Sequence, residues 1–213
     1  MSFVSLLILA VFLAFYAAFF FWYGGRARPL DQIEINALLS ETRRRAGKES
    51  GAEGEEPILL RQFRELAASD DGRDYWMVNF LKFLGKAIYP SVIAGTMGDD
   101  PMAANARYNR AIIPFLLKHG SHPVFASKVA GRFIRDEGSE DWDQVAAVRY
   151  RSRRDMLRMA VDLAGRDIDV HKWAALERTQ VFPARPIISL FSARASVALV
   201  LSAVCAVLLF LFR

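Results

Sequence analysis

The sequence predicts an α+β domain of strand and helix order βαββαβ, set between two apolar terminal helices. Three observations carry this. Uncharged runs occupy both ends, Phe3 to Tyr23 and Ala195 to Phe212. A strand with two apolar faces runs from Tyr75 to Leu84. A β–α unit with both ends signalled runs from Trp142 to Gly165. The chain of 213 residues divides accordingly into 1–24, an apolar anchor; 25–56, a juxtamembrane helix and linker; 57–186, the α+β domain; and 187–213, a second apolar helix.

The first run spans roughly 30 Å as a helix, the thickness of a bilayer core. It ends on Phe21, Trp22 and Tyr23, aromatic residues suited to the headgroup level. No basic segment precedes it and no small-residue cleavage site follows, so it reads as a retained anchor, not a signal peptide. The second run is apolar all round, with Arg194 placed to snorkel to the surface. Its small residues Ala195, Ala198, Ser202, Ala203 and Ala206 suit close packing on another helix.

Arginine sets the expected orientation. Arg26, Arg28, Arg43, Arg44 and Arg45 follow the first run, and Arg178, Arg185 and Arg194 precede the second. The positive-inside rule then places the domain in the cytoplasm of a bacterial-type inner or plasma membrane, both termini outside. The net charge of +5 is largely this arginine. Its expected partners are anionic lipid headgroups, taken by Arg26, Arg28 and Arg43 to Arg45. No nucleic-acid-binding motif accompanies the charge, so nucleic acid is not an expected partner. The single cysteine, Cys205, excludes an internal disulfide.

Between the ends, Pro29 to Ala46 has the spacing of a short amphipathic helix and Gly47 to Glu56 the composition of a linker. Pro57 opens a helix to Leu66. The strand from Tyr75 has Tyr75, Met77, Leu81 and Phe83 on one face, interrupted by Asn79, and Trp76, Val78 and Phe80 on the other. Gly85 to Asp99 reads as irregular. Asp100-Pro101 starts a helix that stops at Gly120, with a kink expected at Pro114. His122 to Ile134 reads as a strand with a bulge near Gly131. Gln144 to Tyr150 is the third strand. Ser152 caps the next helix, with Asp155 three residues on as in a capping box. A short helical piece at Asp169–Glu177 and a last strand near Thr179–Phe182 follow. This order suggests a ferredoxin-like sandwich: one antiparallel sheet, helices on one face, and an apolar open face that a second copy would cover.

Met77-Val78-Asn79 in the first strand, Tyr108-Asn109, His119-Gly120, Trp142-Asp143 and Tyr150-Arg151-Ser152 together resemble the dimeric α+β barrel superfamily, in a branch with a Met-Val-Asn first strand. The resemblance covers about Tyr75 to Phe182. It implies a ferredoxin-like protomer, homodimerisation through the sheet face and a pocket between sheet and helices. Relatives of that kind include cofactor-free monooxygenases, lactone isomerases, haem-degrading enzymes and haem-binding chlorite dismutases. Some haem-degrading relatives combine a first-strand Asn with a Trp and a helix His. The Ser152–Ala164 helix has no histidine, which counts against that chemistry, so no cofactor is expected and haem enters only through the resemblance.

The candidate ligand residues are Asn79, Tyr108, His119, Tyr150, Arg149 and Arg151. An amide on an apolar strand face must find hydrogen-bond partners: Asn79 either orients a ligand carbonyl or satisfies neighbouring backbone. His119 suits a helix C-terminus, where a cation is favoured, or a catalytic role. Arg149, Arg151, Arg153 and Arg154 either hold an anion or form a solvated face paired to Glu137, Asp141 or Asp143. Tyr108 and Tyr150 supply hydroxyls or aromatic core. His171 beside Trp173 reads as packing. The three histidines have no metal-ligand spacing, and no nucleophile elbow, phosphate loop or dinucleotide fingerprint is present. No complete catalytic set can be assembled. The expectation is a module binding a small, largely apolar molecule, with cofactor-free oxygenase or isomerase-like activity as what the resemblance adds. The alternative is a non-catalytic accessory subunit associated with other membrane subunits.

Overall fold

The computed structural model describes residues 2–24, 28–47, 57–134, 136–189 and 192–212. Arg26 and most of the Gly47–Glu56 linker lie outside the described residues. The chain forms two units, one of both termini and one of Arg26–Arg185.

In the larger unit, α2 (Gln32–Arg45) and α3 (Ile58–Ala68) precede β1 (Tyr75–Phe83). Then come α4 (Ser91–Met97), α5 (Pro101–Lys118), β2 (His122–Lys128), β3 (Gln144–Tyr150), α6 (Arg153–Leu163), α7 (Asp169–Ala175) and β4 (Leu176–Ala184). The four strands make one sheet in the order β2-β3-β1-β4. Every pairing is antiparallel. Central β1 sets Tyr75 opposite Tyr150, Met77 opposite Val148 and Asn79 opposite Ala146. The architecture is therefore α+β.

Tyr75, Met77 and Leu81 are the buried residues of β1, on the side that meets helices. Leu81 packs with Ala104 of α5 and with Ala174 and Ala175 of α7. Val148 and Tyr150 pack with Ile112 and Leu116 of α5 and Met159 of α6. The opposite side carries Trp76, Val78 and Phe80, and Phe80 stacks on Phe182 at 5.8 Å and meets Trp142 at 5.7 Å. At the rim of that side Phe125 and Phe182 are 41% and 39% exposed, so the uncovered side of this sheet is aromatic.

Four local differences separate structure from sequence expectation. Ser91–Met97 is helical, contributing Ile93 and Met97 to the Leu81 cluster. Strand β2 ends at Lys128, opposite Gln144, because its partner begins there. Its register shift lies between Pro123 and Phe125, not near Gly131; a proline cannot donate to the ladder. Strand β4 is longer than Thr179–Phe182, since it leaves α7 directly.

The segment after the first apolar run is also more than a spacer. Helix α2 buries Ile35 and Leu39 against Leu60 and Leu157, so it is an outer layer over α3 and α6. Asp31 caps it, accepting from the Glu34 amide.

The other unit pairs α1 (Phe3–Gly24) with α8 (Ala193–Leu211). Both helices are long and apolar enough to cross a membrane. The Arg194 guanidinium lies over the Phe20 ring at 4.1 Å and donates to the Phe20 carbonyl at 3.4 Å. Ala198, Leu201, Cys205 and Leu208 form the less exposed stripe of α8. Of the small residues expected at a helix contact, Ala198 alone is in it; Ala195, Ser202, Ala203 and Ala206 are exposed.

Candidate functional site

The four arginines at the β3–α6 junction are each bound to carboxylates of the same unit. Arg149 is 3% exposed and donates from Nε to Asp74 Oδ2 at 2.9 Å and from Nη1 to the Gly120 carbonyl. Strand alternation carries it to the side opposite Tyr150. Arg151 forks onto Asp155 at 2.7 and 2.8 Å, and its side chain runs over Gly120, where a Cβ would meet it at 2.9 Å. Arg153 lies 3.5 Å from Asp70 and Asp71 and stacks over Tyr75. Arg154 forks onto Glu34 at 2.6 and 3.0 Å and also donates to the Arg28 and Pro29 carbonyls. Asp70 meets the same segment from the other side, accepting from the Leu30 amide at 2.8 Å.

These pairs stabilise charge in both directions. Burial opposes ionisation of Asp155, but hydrogen bonds from Arg151 and Ser152 outweigh it and hold the carboxyl below its usual range. The Arg154 hydrogen bond does the same for Glu34. Such a cluster is an internal network: each guanidinium has a carboxylate beside it, although Arg153 Nε and Nη1 are buried without a hydrogen bond.

His119 also faces a carboxylate. It ends α5, and its Nε2 lies 2.9 Å from Asp162 Oδ2 of α6, where Lys118 donates at 2.7 Å. Lys118 and then His119 hold Asp162 below the ordinary carboxylate range. Of the headgroup candidates, Arg28 pairs with Asp31 and Glu34, Arg44 and Arg45 bind Glu41, and Arg43 is exposed.

The remaining candidates meet elsewhere. Tyr108 and Tyr150 both join the cluster around Ile112. Burial pushes the Tyr108 phenol up to about 12, with Asp169 adding to it, and pushes Tyr150 higher still. Both therefore remain protonated donors at neutral pH. Asn79 lies on the helix side of β1, between Met77 and Leu81, and its amide nitrogen donates to the Met77 carbonyl at 2.9 Å. That satisfies one N–H of the amide within the strand and leaves the carbonyl oxygen without a hydrogen bond to a described residue.

Two residues not singled out from the sequence complete this region. Asn105 sits one turn before Tyr108 on α5, is 7% exposed and has no side-chain hydrogen bond to a described residue. Lys172 of α7 lies over the Tyr108 ring at 5.8 Å and the Trp173 ring at 5.1 Å. It makes no hydrogen bond or ion pair with a described residue. Burial lowers its pKa, with Asp169 only partly opposing. The signal for Asn105 was legible: it shares a helix face with Ala104, Tyr108 and Ile112.

Asn79, Asn105, Tyr108 and Lys172 thus mark a polar gap on the helix side of the sheet. On one side of it is the apolar cluster of Leu81, Ala104 and Ala174; on the other is that of Ile112, Met159 and Val148. At its floor the β3 partner of Asn79 is only an alanine, Ala146. Beside it, Tyr89 joins His171 Nδ1 at 3.0 Å and accepts from Arg107 at 3.3 Å. Among the described residues no group of three or more His, Cys, Asp or Glu is placed to hold a metal. A separate open depression lies at the sheet rim, lined by Trp142, Arg178, Gln180 and the 138–140 turn.

The chain matches no family model and no curated protein. It is similar to the crystal structure of RPA0582, a protein of unknown function from Rhodopseudomonas palustris, at 24% identity and a TM-score of 0.52, over 66% of this chain and 100% of that one. The methylated RPA0582 protein matches at 23% identity and a TM-score of 0.52, over 66% and 98%. Both likenesses are of fold alone.

Proposed function

We propose that this chain is a membrane-anchored module that binds a small, largely apolar molecule between its sheet and helices. The observation that carries the reading is the polar gap between two apolar clusters. Buried polar groups are nearly always hydrogen-bonded, so half-buried polar groups that lack a protein partner are open to water or to a ligand. Here the Asn105 amide, the Tyr108 hydroxyl and the Lys172 ammonium make no hydrogen bond to a described residue; Lys172 meets two aromatic rings and, at longer range, Asp169. An apolar body with a few fixed polar contacts is the common form of a small-molecule site.

The rest of the reading is consistent with this. The strand order β2-β3-β1-β4 with helices between β1 and β2 and between β3 and β4 supports a ferredoxin-like protomer. The aromatic side around Phe80, Phe125 and Phe182 supports a homodimer closed sheet to sheet. Helices α1 and α8 hold the module in the bilayer, with the domain on the cytoplasmic side where the arginines collect. Labelling of a Ser139→Cys variant in cells only after lysis would check that side.

Native mass spectrometry of the full chain, gently released from the membrane, tests the reading. The expected species is a dimer carrying a small molecule. An Asn79→Leu variant keeps the side chain's size, removes the amide, and should lose the molecule with its melting temperature held or raised. A variant that melts lower yet carries the molecule normally would sink the assignment of Asn79 to the site. A monomer without small molecule, bound to other subunits, would favour the accessory-subunit reading.

A further inference from the structure

The chemistry of the ligand's polar end follows from which groups in the gap can give a proton and which can take one. Lys172 offers three donors and no acceptor. Tyr108 keeps its hydroxyl proton, and Asn105 presents a donor as well as an acceptor. The neighbouring cation, Arg107, binds the Tyr89 hydroxyl and no carboxylate of a described residue. The acid nearest in sequence, Asp169, begins the same helix but makes no ion pair with Lys172. The gap is therefore rich in donors and carries positive charge, which Asp169 offsets only from a distance and which no described carboxylate meets in an ion pair.

An ammonium drawn partly out of water without an ion pair is disfavoured. Two aromatic faces offset part of this. The Tyr108 and Trp173 rings leave the Lys172 hydrogens free to bond, since a ring face occupies no lone-pair position. A carboxylate supplies what is missing: two acceptor oxygens and one negative charge. The surrounding side chains, Met77, Leu81, Ile112 and Val148, accept only hydrocarbon.

We propose that the gap takes an apolar molecule ending in a carboxylate, with the carboxylate paired to Lys172 and hydrogen-bonded by the Tyr108 hydroxyl. This rests on the reading of the gap as a ligand site, and it adds the class of molecule. Asn105 donates to the second oxygen, and the hydrocarbon part lies over Val148 and Ile112.

The test uses the full chain in nanodiscs of phosphatidylcholine, with empty nanodiscs as the blank, and two probes of equal length, 4-phenylbutyrate and 4-phenyl-1-butanol. Affinities are measured by calorimetry. The carboxylate should bind at least about tenfold more tightly than the alcohol, about 1.4 kcal/mol. Lys172→Met should bring the two probes to the same affinity by weakening the carboxylate far more than the alcohol. Lys172→Arg should keep the preference, and Tyr108→Phe should reduce it a few-fold. Equal affinities in the unaltered chain, or a preference that survives Lys172→Met, would overturn the carboxylate assignment and leave the apolar site standing. Binding of neither probe would overturn both.

Discussion

The β3–α6 junction and the α5–α7 edge are both basic, yet they differ in how their charge is met. At the junction, Arg149, Arg151, Arg153 and Arg154 each have a carboxylate within 3.5 Å. At the edge, Lys172 has aromatic rings and no carboxylate among the described residues. Density of positive charge in the sequence points to the first region; the lack of an ion pair at Lys172 among the described residues points to the second. A charge already paired holds the fold together. A charge left unpaired in a partly buried place is available to a ligand.

The comparison can be broken most severely at Asp155. This carboxylate is 5% exposed, accepts both arms of Arg151 and the Ser152 hydroxyl, and lies in the first turn of α6. Asp155→Ala should cost about 3–5 kcal/mol, because it leaves a guanidinium poorly paired and removes the helix-start network. Urea denaturation of the full chain in nanodiscs reads this through the circular dichroism of the α+β unit. A cost below about 1 kcal/mol would put Arg151 among the solvated surface charges after all.

Acid should separate the regions next. Asp155, Glu34 and Asp162 all have carboxyls held low in the folded state. The unfolded chain therefore binds more protons in the intervening range, and stability falls with pH there. The contribution is complete above the ordinary carboxylate range of about 3.9–4.3 and is lost as pH drops through the lowered folded values. Thermal melts between pH 7 and pH 3 should show a decline concentrated below about pH 5. An Arg154→Met chain, which no longer pairs Glu34, should show a shallower decline.

The smallest effect is expected at the edge. Lys172→Met removes a partly buried charge that has no ion pair with a described residue, so stability at pH 7 should lie between unchanged and about 1 kcal/mol higher. Because burial lowers the Lys172 pKa, the unfolded state again holds the extra proton, and the penalty of the native lysine fades as pH rises. Any advantage of methionine should vanish above about pH 10.4, as the unfolded lysine too loses its proton. A marked loss of stability at pH 7 would show that the stacking of Lys172 on Tyr108 and Trp173 is structural.

What the sequence disclosed follows the range of the interactions concerned. Ser152 and Asp155 stand three residues apart, and the cap they form is in the structure, with the Asp155 amide donating to the Ser152 hydroxyl at 3.1 Å. Asp100-Pro101 likewise starts α5, Asp100 accepting from the Met102 amide. The partners of the arginines were not legible, because Glu34 is 120 residues from Arg154 and Asp74 is 75 from Arg149. Local acids such as Asp143 are committed elsewhere, to Lys82 and the Phe83 amide. Lys172 escaped notice for a similar reason. In a short helix beside His171 and Trp173 it resembles an ordinary surface lysine, and its surroundings come from Tyr108 on another helix. Helix α4 is short and starts at Pro90 without a side-chain cap, so only its packing on the Leu81 cluster reveals it.

The four tryptophans make the chain a reporter on itself. Trp22 lies near the end of α1, Trp76 and Trp142 belong to the aromatic side of the sheet, and Trp173 lies beside Lys172. Indole emission shifts with the polarity around the ring and dims beside a charged amine. Three events would then have separate optical signatures: lipid contact at Trp22, closure of a second sheet over Trp76 and Trp142, and a change of charge near Trp173. Single-tryptophan chains, each keeping one indole with phenylalanine at the other three positions, would resolve assembly from occupancy in one cuvette and without an added dye.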